Sequence, residues 1–377
     1  MSAFWNARVR HLAPYVPGEQ PKGQGQGQGQ GKKFIKLNTN ENPHPPPQTV
    51  LDAMHRAADG RLRLYPDPQC AVLRMAIAER FGLRETQVFS GNGSDEVLAF
   101  AFGAFFESFA DFKSFANEET RQAKHILFPD ISYSFYPVFA RLWHLAWTPV
   151  PLKDDWTIDY TDYCARSGGV ILANPNAPTG IAMKAEALAA IADFQAQNNT
   201  VLIVDEAYAD FGGETVVPFI TGAEGRVRKN ILVVKTLSKS YSLAGLRVGF
   251  ALGSEELIEA LERMRDSFNS YTLDCVAQAG AAAALRERAY YDEITRKIIE
   301  TRQRVSAELV KRGFTVLPSS ANFIFIKHPR LSGEQFFLHL RENGILARHF
   351  NSERIAAFLR VTIGTDEDMD AFLSLCV

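Results

Sequence analysis

Lys239 stands between two hydroxyls in TLSKSYSLAGLR (236–247), a turn that follows an apolar run. A lysine amine attacks carbonyl carbons when burial or nearby cations hold it partly deprotonated. Thr236, Ser238 and Arg247 in the same stretch suit an anion such as phosphate. Asp205 opens a second motif, VDEAYADF (204–211), with Tyr208 three residues on. An acid at the end of a buried parallel strand lies where α/β proteins bind ligands, and it can hold a metal or a cationic group. GNGSDE (91–96) places two glycines ahead of an apolar helix. Ser94 or Asp95 can cap that helix, and the N–H groups of its first turn favour an anion. The motif lacks the third glycine of a dinucleotide fingerprint and the Lys-Ser/Thr pair of a P-loop. NPNAPTG (174–180) adds neutral hydrogen-bonding asparagines after another apolar run.

Taken singly, each motif also reads as an ordinary turn or a solvated side chain. Taken together they supply what pyridoxal phosphate requires. A lysine joins the cofactor aldehyde, and a carboxylate keeps the pyridine nitrogen protonated. A tyrosine and an asparagine reach the ring hydroxyl, and an anion cradle takes the phosphate.

Those residues need a frame that brings strand ends together. Short β-rich runs occur at Gln87–Ser90, His125–Phe128, Val170–Ala173, Val201–Val204 and Ile231–Lys235. Helical patterns at 48–58, 70–81 and 183–197 alternate with them. Alternating strands and helices predict an α/β fold around a largely parallel sheet. A long helical pattern runs over 254–312, broken near Asn269–Thr272. Strands at Phe323–Ile326, Ile345–Ala347 and Leu359–Thr362, with a helix at 333–342, then predict a smaller α+β domain. The expected division is an N-terminal arm over 1–47, partly joining the small domain, a large domain over 48–255 and a small domain over 256–377. The GQGQGQGQG tract (23–31) has no apolar face and is expected to act as a spacer. The polar stretch 107–124 is expected as a surface excursion.

Composition narrows the function classes. The 377 residues carry 41 Lys and Arg against 43 Asp and Glu, a net charge of −2, so no basic excess points to nucleic acid. With 46% apolar residues the chain is too hydrophobic to be mostly disordered. Four scattered cysteines form no CxxC pair, so neither a zinc site nor a disulfide framework is expected. The first residues show no secretory signal and no apolar run spans a membrane, so a cytoplasmic protein is expected.

Over nearly its whole length the chain resembles the fold type I pyridoxal-phosphate-dependent aminotransferases, and within them the histidinol-phosphate branch. The matching segments are LNTNENP (37–43), LYPDP (64–68), GNGSDE, YSFYP (133–137), NPNAPTG, DEAYADF, TLSKSYSLAGLR, DSFNSYTLD (266–274), SSANFIFI (319–326) and LRVTIGT (359–365). The resemblance implies a homodimer that exchanges an amino group between histidinol phosphate and 2-oxoglutarate by a ping-pong route. Lys239 would be the Schiff-base residue and proton shuttle, Asp205 the partner of the pyridine nitrogen and Tyr208 a ligand of the ring hydroxyl. Tyr133 would stack on the ring. Ser94, Asp95, Thr236, Ser238 and Arg247 would hold the phosphate, with Tyr65 reaching the neighbouring subunit's cofactor. Arg360 and Arg348 would bind substrate anions, and Tyr15 on the N-terminal arm would close over them.

One position departs from the family pattern. Ala177 stands where the family places an asparagine directly before proline. Asn176, one residue earlier, is expected to take its contact, with Asn174 as the alternative. Aromatic amino acid transamination or phospho-amino-acid decarboxylation on the same fold are the competing expectations, and a non-catalytic relative is a third.

Overall fold

The computed structural model describes residues 4–6, 9–10, 12–20, 34–108 and 124–377. The tract at 23–31 and most of the 107–124 stretch lie outside the described residues.

After β1 (Ile35–Lys36), helices α1 (Gln48–Ala57) and α2 (Ala71–Phe81) lead into the main sheet. That sheet contains β2 (Val88–Asn92), β3 (Ile126–Pro129), β4 (Trp147–Val150), β5 (Gly169–Ala173), β6 (Leu202–Asp205), β7 (Ile231–Thr236) and β8 (Val248–Leu252). Its order is β2-β8-β7-β6-β5-β3-β4. β8 runs antiparallel to both neighbours, and the other pairings are parallel. The strands β5 to β8 are buried along their whole length, as near-continuous apolar runs with both faces covered require.

Alternation along each strand divides the core into two layers. Val170, Leu172, Leu202, Val204, Ile231 and Val233 face one layer. They meet Leu73 of α2, Leu188 of α5 (Ala185–Gln197) and Ala277 of α8 (Cys275–Arg286) there. Ile171, Ile203, Leu232 and Val234 face the other layer. Their partners include Val97 of α3 (Gly93–Phe105), Tyr136 of α4 (Tyr136–Leu142) and Leu257 of α7 (Glu255–Asp266).

The long helical pattern resolves into three helices: α7, α8 and α9 (Arg288–Lys311). The side chains of Leu257, Ile258 and Leu261, and of Ala277, Ala281 and Leu285, belong to the core of the main sheet. The boundary read from the sequence at 255 therefore sits too early. Even Tyr291 and Ile294, at the start of α9, pack with the large sheet, and Ile298 is the first of that helix in the small-domain core.

The small domain holds β9 (Thr315–Val316), β10 (Phe323–Lys327), β12 (Arg348–His349) and β13 (Phe358–Thr362), all antiparallel, in the order β12-β13-β10-β9. β11 (Ile345–Leu346) pairs in parallel with β1, which ties the N-terminal segment to this domain. Helices α10 (Gly333–Glu342) and α11 (Asp366–Ser374) both open with reciprocal capping boxes, Ser332 with Gln335 and Thr365 with Asp368.

Candidate active site

Main-chain pairing sets the site. Ala173 is paired with Asp205, Asp205 with Val234 and Thr236 with Gly249, so the ends of β5, β6 and β7 lie side by side. β8 starts at this same edge because it runs the other way, which delivers Arg247 from the strand before its first residue. The N-terminus of α3 comes from β2 on the far side of β8. Two glycines permit its close approach. A Cβ on Gly249 would stand 2.2 Å from the Ser94 nitrogen, and one on Gly93 would stand 2.5 Å from Arg247 Nη2.

One pocket gathers Tyr15, Ser94, Asp95, Tyr133, Asp205, Tyr208, Thr236, Ser238, Lys239, Arg247, Arg348 and Arg360. At its floor, Asp205 is buried, with Oδ1 accepting from the Ala207 N–H at 3.1 Å and Oδ2 from the Tyr136 hydroxyl at 3.1 Å. Burial raises its carboxyl from 3.8 to about 6, although both hydrogen bonds pull the other way. Lys239 Nζ donates to the Thr39 carbonyl at 3.2 Å and lies 5.9 Å from the Tyr208 ring centre.

At the anion end, the first-turn N–H groups of α3 have no partners within the helix. Asp95 ties the local side chains together: its carboxylate accepts from Tyr133 at 2.7 Å and from Arg247 Nη2 at 3.2 Å. Thr236 Oγ1 accepts from the Ser238 N–H at 3.1 Å, closing the hydroxyl turn.

The mouth is built by the small domain and the arm. Arg360 Nη2 donates to the Asn38 carbonyl at 3.0 Å, whereas its buried Nε has no hydrogen-bond partner among the described residues. Burial lowers the Arg360 pKa. Arg348 donates to the carbonyls of Val16 and Pro17 at 3.3 and 3.5 Å. Tyr15 stacks on Phe135 with ring centres 4.4 Å apart.

Two expected residues are placed elsewhere. The Asn176 side chain is turned into the loop: Oδ1 accepts from Ser132 at 2.8 Å, and Nδ2 donates to the Ile131 carbonyl and to Thr179. Ala177 lines the pocket in its stead. The turn keeps its register, so the shift by one residue that would have brought Asn176 inward does not occur. Asn174 is likewise occupied, by the Met183 main chain on both its atoms. Tyr65 lies outside the pocket, 81% exposed and stacked on Tyr271. The structure also brings in residues that the motifs did not single out. Asn40 lines the pocket and donates to the Tyr208 hydroxyl at 2.9 Å, and Tyr136 holds Asp205. Both stand inside quoted motifs, but only the tertiary contacts give them a task.

A mainly parallel sheet with a lysine, a buried acid and an anion-binding helix end on one edge, covered by a small α+β domain, defines a fold type I transferase architecture. The model of the aminotransferase class I and II family matches residues 32–374, and the chain belongs to that family. It is 50% identical over 373 residues to a histidinol-phosphate aminotransferase of Clostridium acetobutylicum, covering 99% of this chain and 98% of that one. A histidinol-phosphate aminotransferase 1 of Bordetella parapertussis is 49% identical over 376 residues, 99% of this chain and 98% of that one. Among solved structures, the histidinol-phosphate aminotransferase of Sinorhizobium meliloti in complex with pyridoxal-5'-phosphate superposes with a TM-score of 0.82 at 24% identity, covering 99% of this chain and 96% of that chain. That likeness speaks for the fold. No helix among the described residues is long and apolar enough to cross a membrane, and no cluster of three or more His, Cys, Asp or Glu there could hold a metal.

Proposed function

We infer that this chain is a pyridoxal-phosphate enzyme that moves an amino group between L-histidinol phosphate and 2-oxoglutarate, giving imidazole-acetol phosphate and glutamate. The observation that carries it is the single pocket in which Lys239 and the buried Asp205 face an anion cradle at one end and two arginines at the other. Relatives named for this activity are half identical over the full length.

The residues fit the cofactor. The glycines at 93 and 249 leave the helix end bare for a phosphate, and Arg247 lies against it. Buried polar atoms without partners among the described residues remain around the pocket at Asn38 Oδ1, Thr39 Oγ1 and Arg360 Nε. Such atoms cost free energy unless a ligand meets them. Bound pyridoxal phosphate supplies an aldehyde for amine exchange and an electron-withdrawing ring that eases proton loss from the substrate carbon.

The chain's own residues do the rest. Lys239 Nζ would act as the base that carries a proton between the substrate carbon and the neighbouring cofactor carbon on the face it occupies. Asp205 would keep the pyridine nitrogen protonated, Tyr208 would donate to the ring hydroxyl oxygen and Tyr133 would stack on the ring. Arg360 and Arg348 present planar donor forks that match either a carboxylate or a phosphate, which lets one site accept glutamate and histidinol phosphate in turn. Tyr15 shields the mouth from water. The active unit is a cytoplasmic homodimer in which Tyr65, exposed in one protomer, reaches the cofactor phosphate of its partner.

Purified protein should show a visible absorption band with pyridoxal phosphate and should turn over glutamate with imidazole-acetol phosphate. Lys239→Ala should lose both. Good turnover of phenylalanine with none of histidinol phosphate would overturn the substrate assignment.

A further inference from the structure

The hydrogen bonds around Tyr208 have a direction, and three residues from separate segments determine it. Asn40 is buried, 1% exposed, and takes a left-handed backbone at φ 56°, a conformation that asparagine tolerates better than most residues. Its N–H donates to Thr362 Oγ1 at 2.9 Å. Thr362 Oγ1 therefore has its own proton free, and it lies 3.2 Å from Asn40 Oδ1, to which it donates. The Asn40 carbonyl oxygen is held in turn by Asn322 Nδ2 at 2.9 Å. In this orientation Oδ1 accepts the Thr362 proton and Nδ2 serves Tyr208, whereas the flipped amide would take that acceptor away from the Thr362 hydroxyl proton. Nδ2 thus points at Tyr208 and donates to its oxygen at 2.9 Å. A phenol that accepts there keeps its single proton for the pocket.

We propose that Asn40 is a positioning residue for the reaction: anchored by Thr362, it fixes Tyr208 as a donor toward the ring oxygen, a service that neither Ala177 nor Asn176, turned into its own loop, provides. The proposal rests on the reading of the site as a pyridoxal-phosphate centre. It links the small domain, through β13, to the loop that follows β6. Charged groups around Tyr208 include Lys239, whose Nζ sits 5.9 Å from its ring centre, and Arg360, whose guanidinium packs on Phe323 beside it, with Asp205 and Asp95 in the same pocket.

Asn40→Asp tests this in the holoenzyme. The variant keeps the shape but turns the donor into an acceptor, so Tyr208 must spend its proton on it. A hydrogen bond donated to the ring oxygen weakens that oxygen's hold on the nearby imine proton. Losing it raises the midpoint at which the visible band of the lysine-bound cofactor titrates. We expect a rise of about one pH unit, a tenfold change in proton affinity, close to that of Tyr208→Phe. The added charge alone would raise the midpoint in any background. The double variant separates the two causes, because the rise from Asn40→Asp should be clearly smaller once Tyr208 is phenylalanine, where only the effect of the charge is left. Thr362→Val, which frees the amide and also takes the acceptor from the Asn40 N–H, should give a smaller rise in the same direction and serves if Asn40→Asp fails to fold. A wild-type midpoint in both Asn40→Asp and Thr362→Val, while Tyr208→Phe shifts, would overturn the proposal and leave the functional reading standing. Full additivity in the double variant would also overturn it. A wild-type protein with no visible band would remove the functional reading and the proposal together.

Discussion

At Asp205 two effects oppose each other. Burial favours the neutral acid, while the Tyr136 hydroxyl and the Ala207 N–H favour the carboxylate, and the balance stands at about 6. The raised value means that the cofactor-free protein binds a proton that its unfolded chain has already lost. The resulting stability is fully present below the ordinary 3.8 and is lost as pH rises through about 6. A pyridinium partner restores it above that value. Added pyridoxal phosphate should therefore raise the melting temperature more at pH 8 than at pH 5, measured by scanning calorimetry. Tyr136→Phe removes one donor from the carboxylate while keeping the ring, which is fully buried. Its acid limb for cofactor affinity should move to higher pH, and an unchanged limb in a binding titration would show that Tyr136 only fills space.

The elements that carry these side chains are held from behind. Lys235 of β7 is buried and paired with Glu206 at 3.1 Å and Asp210 at 3.3 Å, both on the loop that follows β6. Burial works against its charge, but the two carboxylates more than offset that and raise its pKa. Asp210 also accepts from Ser240 at 2.5 Å, directly after Lys239. This small network joins the loop bearing Tyr208 to the turn bearing Lys239. Lys235→Met should strand the fully buried Glu206 carboxylate and cost about 3–5 kcal/mol in urea denaturation, far more than a surface lysine. On the other side of the site, Gly249→Ala pushes a methyl into the main chain of Gly93 and Ser94. Neither backbone can yield cheaply, so a loss of about 1–3 kcal/mol and a weaker hold on the cofactor phosphate are expected from equilibrium dialysis.

Across the whole molecule the pocket is shared between both domains and the arm. Arg302, buried in α9, donates to the carbonyls of Phe211 and Ala321 and so ties the loop after β6 to the small domain. Burial brings its pKa down to about 10. Positive charge is concentrated here: among the described residues, Lys239, Arg247, Arg348 and Arg360 line the pocket against Asp95 and Asp205, within a chain of net charge −2. The role proposed for Tyr65 requires a second copy. Mixing inactive Lys239→Ala chains with Tyr65→Ala chains under exchange conditions should restore activity, because each hybrid dimer holds one site with both residues intact. About a quarter of wild-type activity is the statistical ceiling for a two-fold dimer. No recovery after verified subunit exchange would count against the shared site.

Local chemistry was legible without the fold. Lys239, Asp205, the GNGSDE turn and the apolar runs before them announce a strand-end site, because strand, turn and cap are short-range properties of neighbouring residues. The alternation of strands and helices points to an α/β sheet, which the structure shows, while the sorting of VILA, LIVD and ILVV side chains between two core layers is visible only in the packing. Three matters needed the tertiary structure. β8 hid in the stretch after Arg247, since an antiparallel return is defined by its partners. The division of the domains moved into α9, since α7 and α8 are amphipathic in either setting and only packing says which core they serve. The sequence points to Asn176, with Asn174 as the alternative, because both stand beside the expected motif position, and it gives Asn40 no task. Hydrogen bonds are made in space: residues 40, 208 and 362 meet across three segments of the chain, and no spacing along the sequence records that they do.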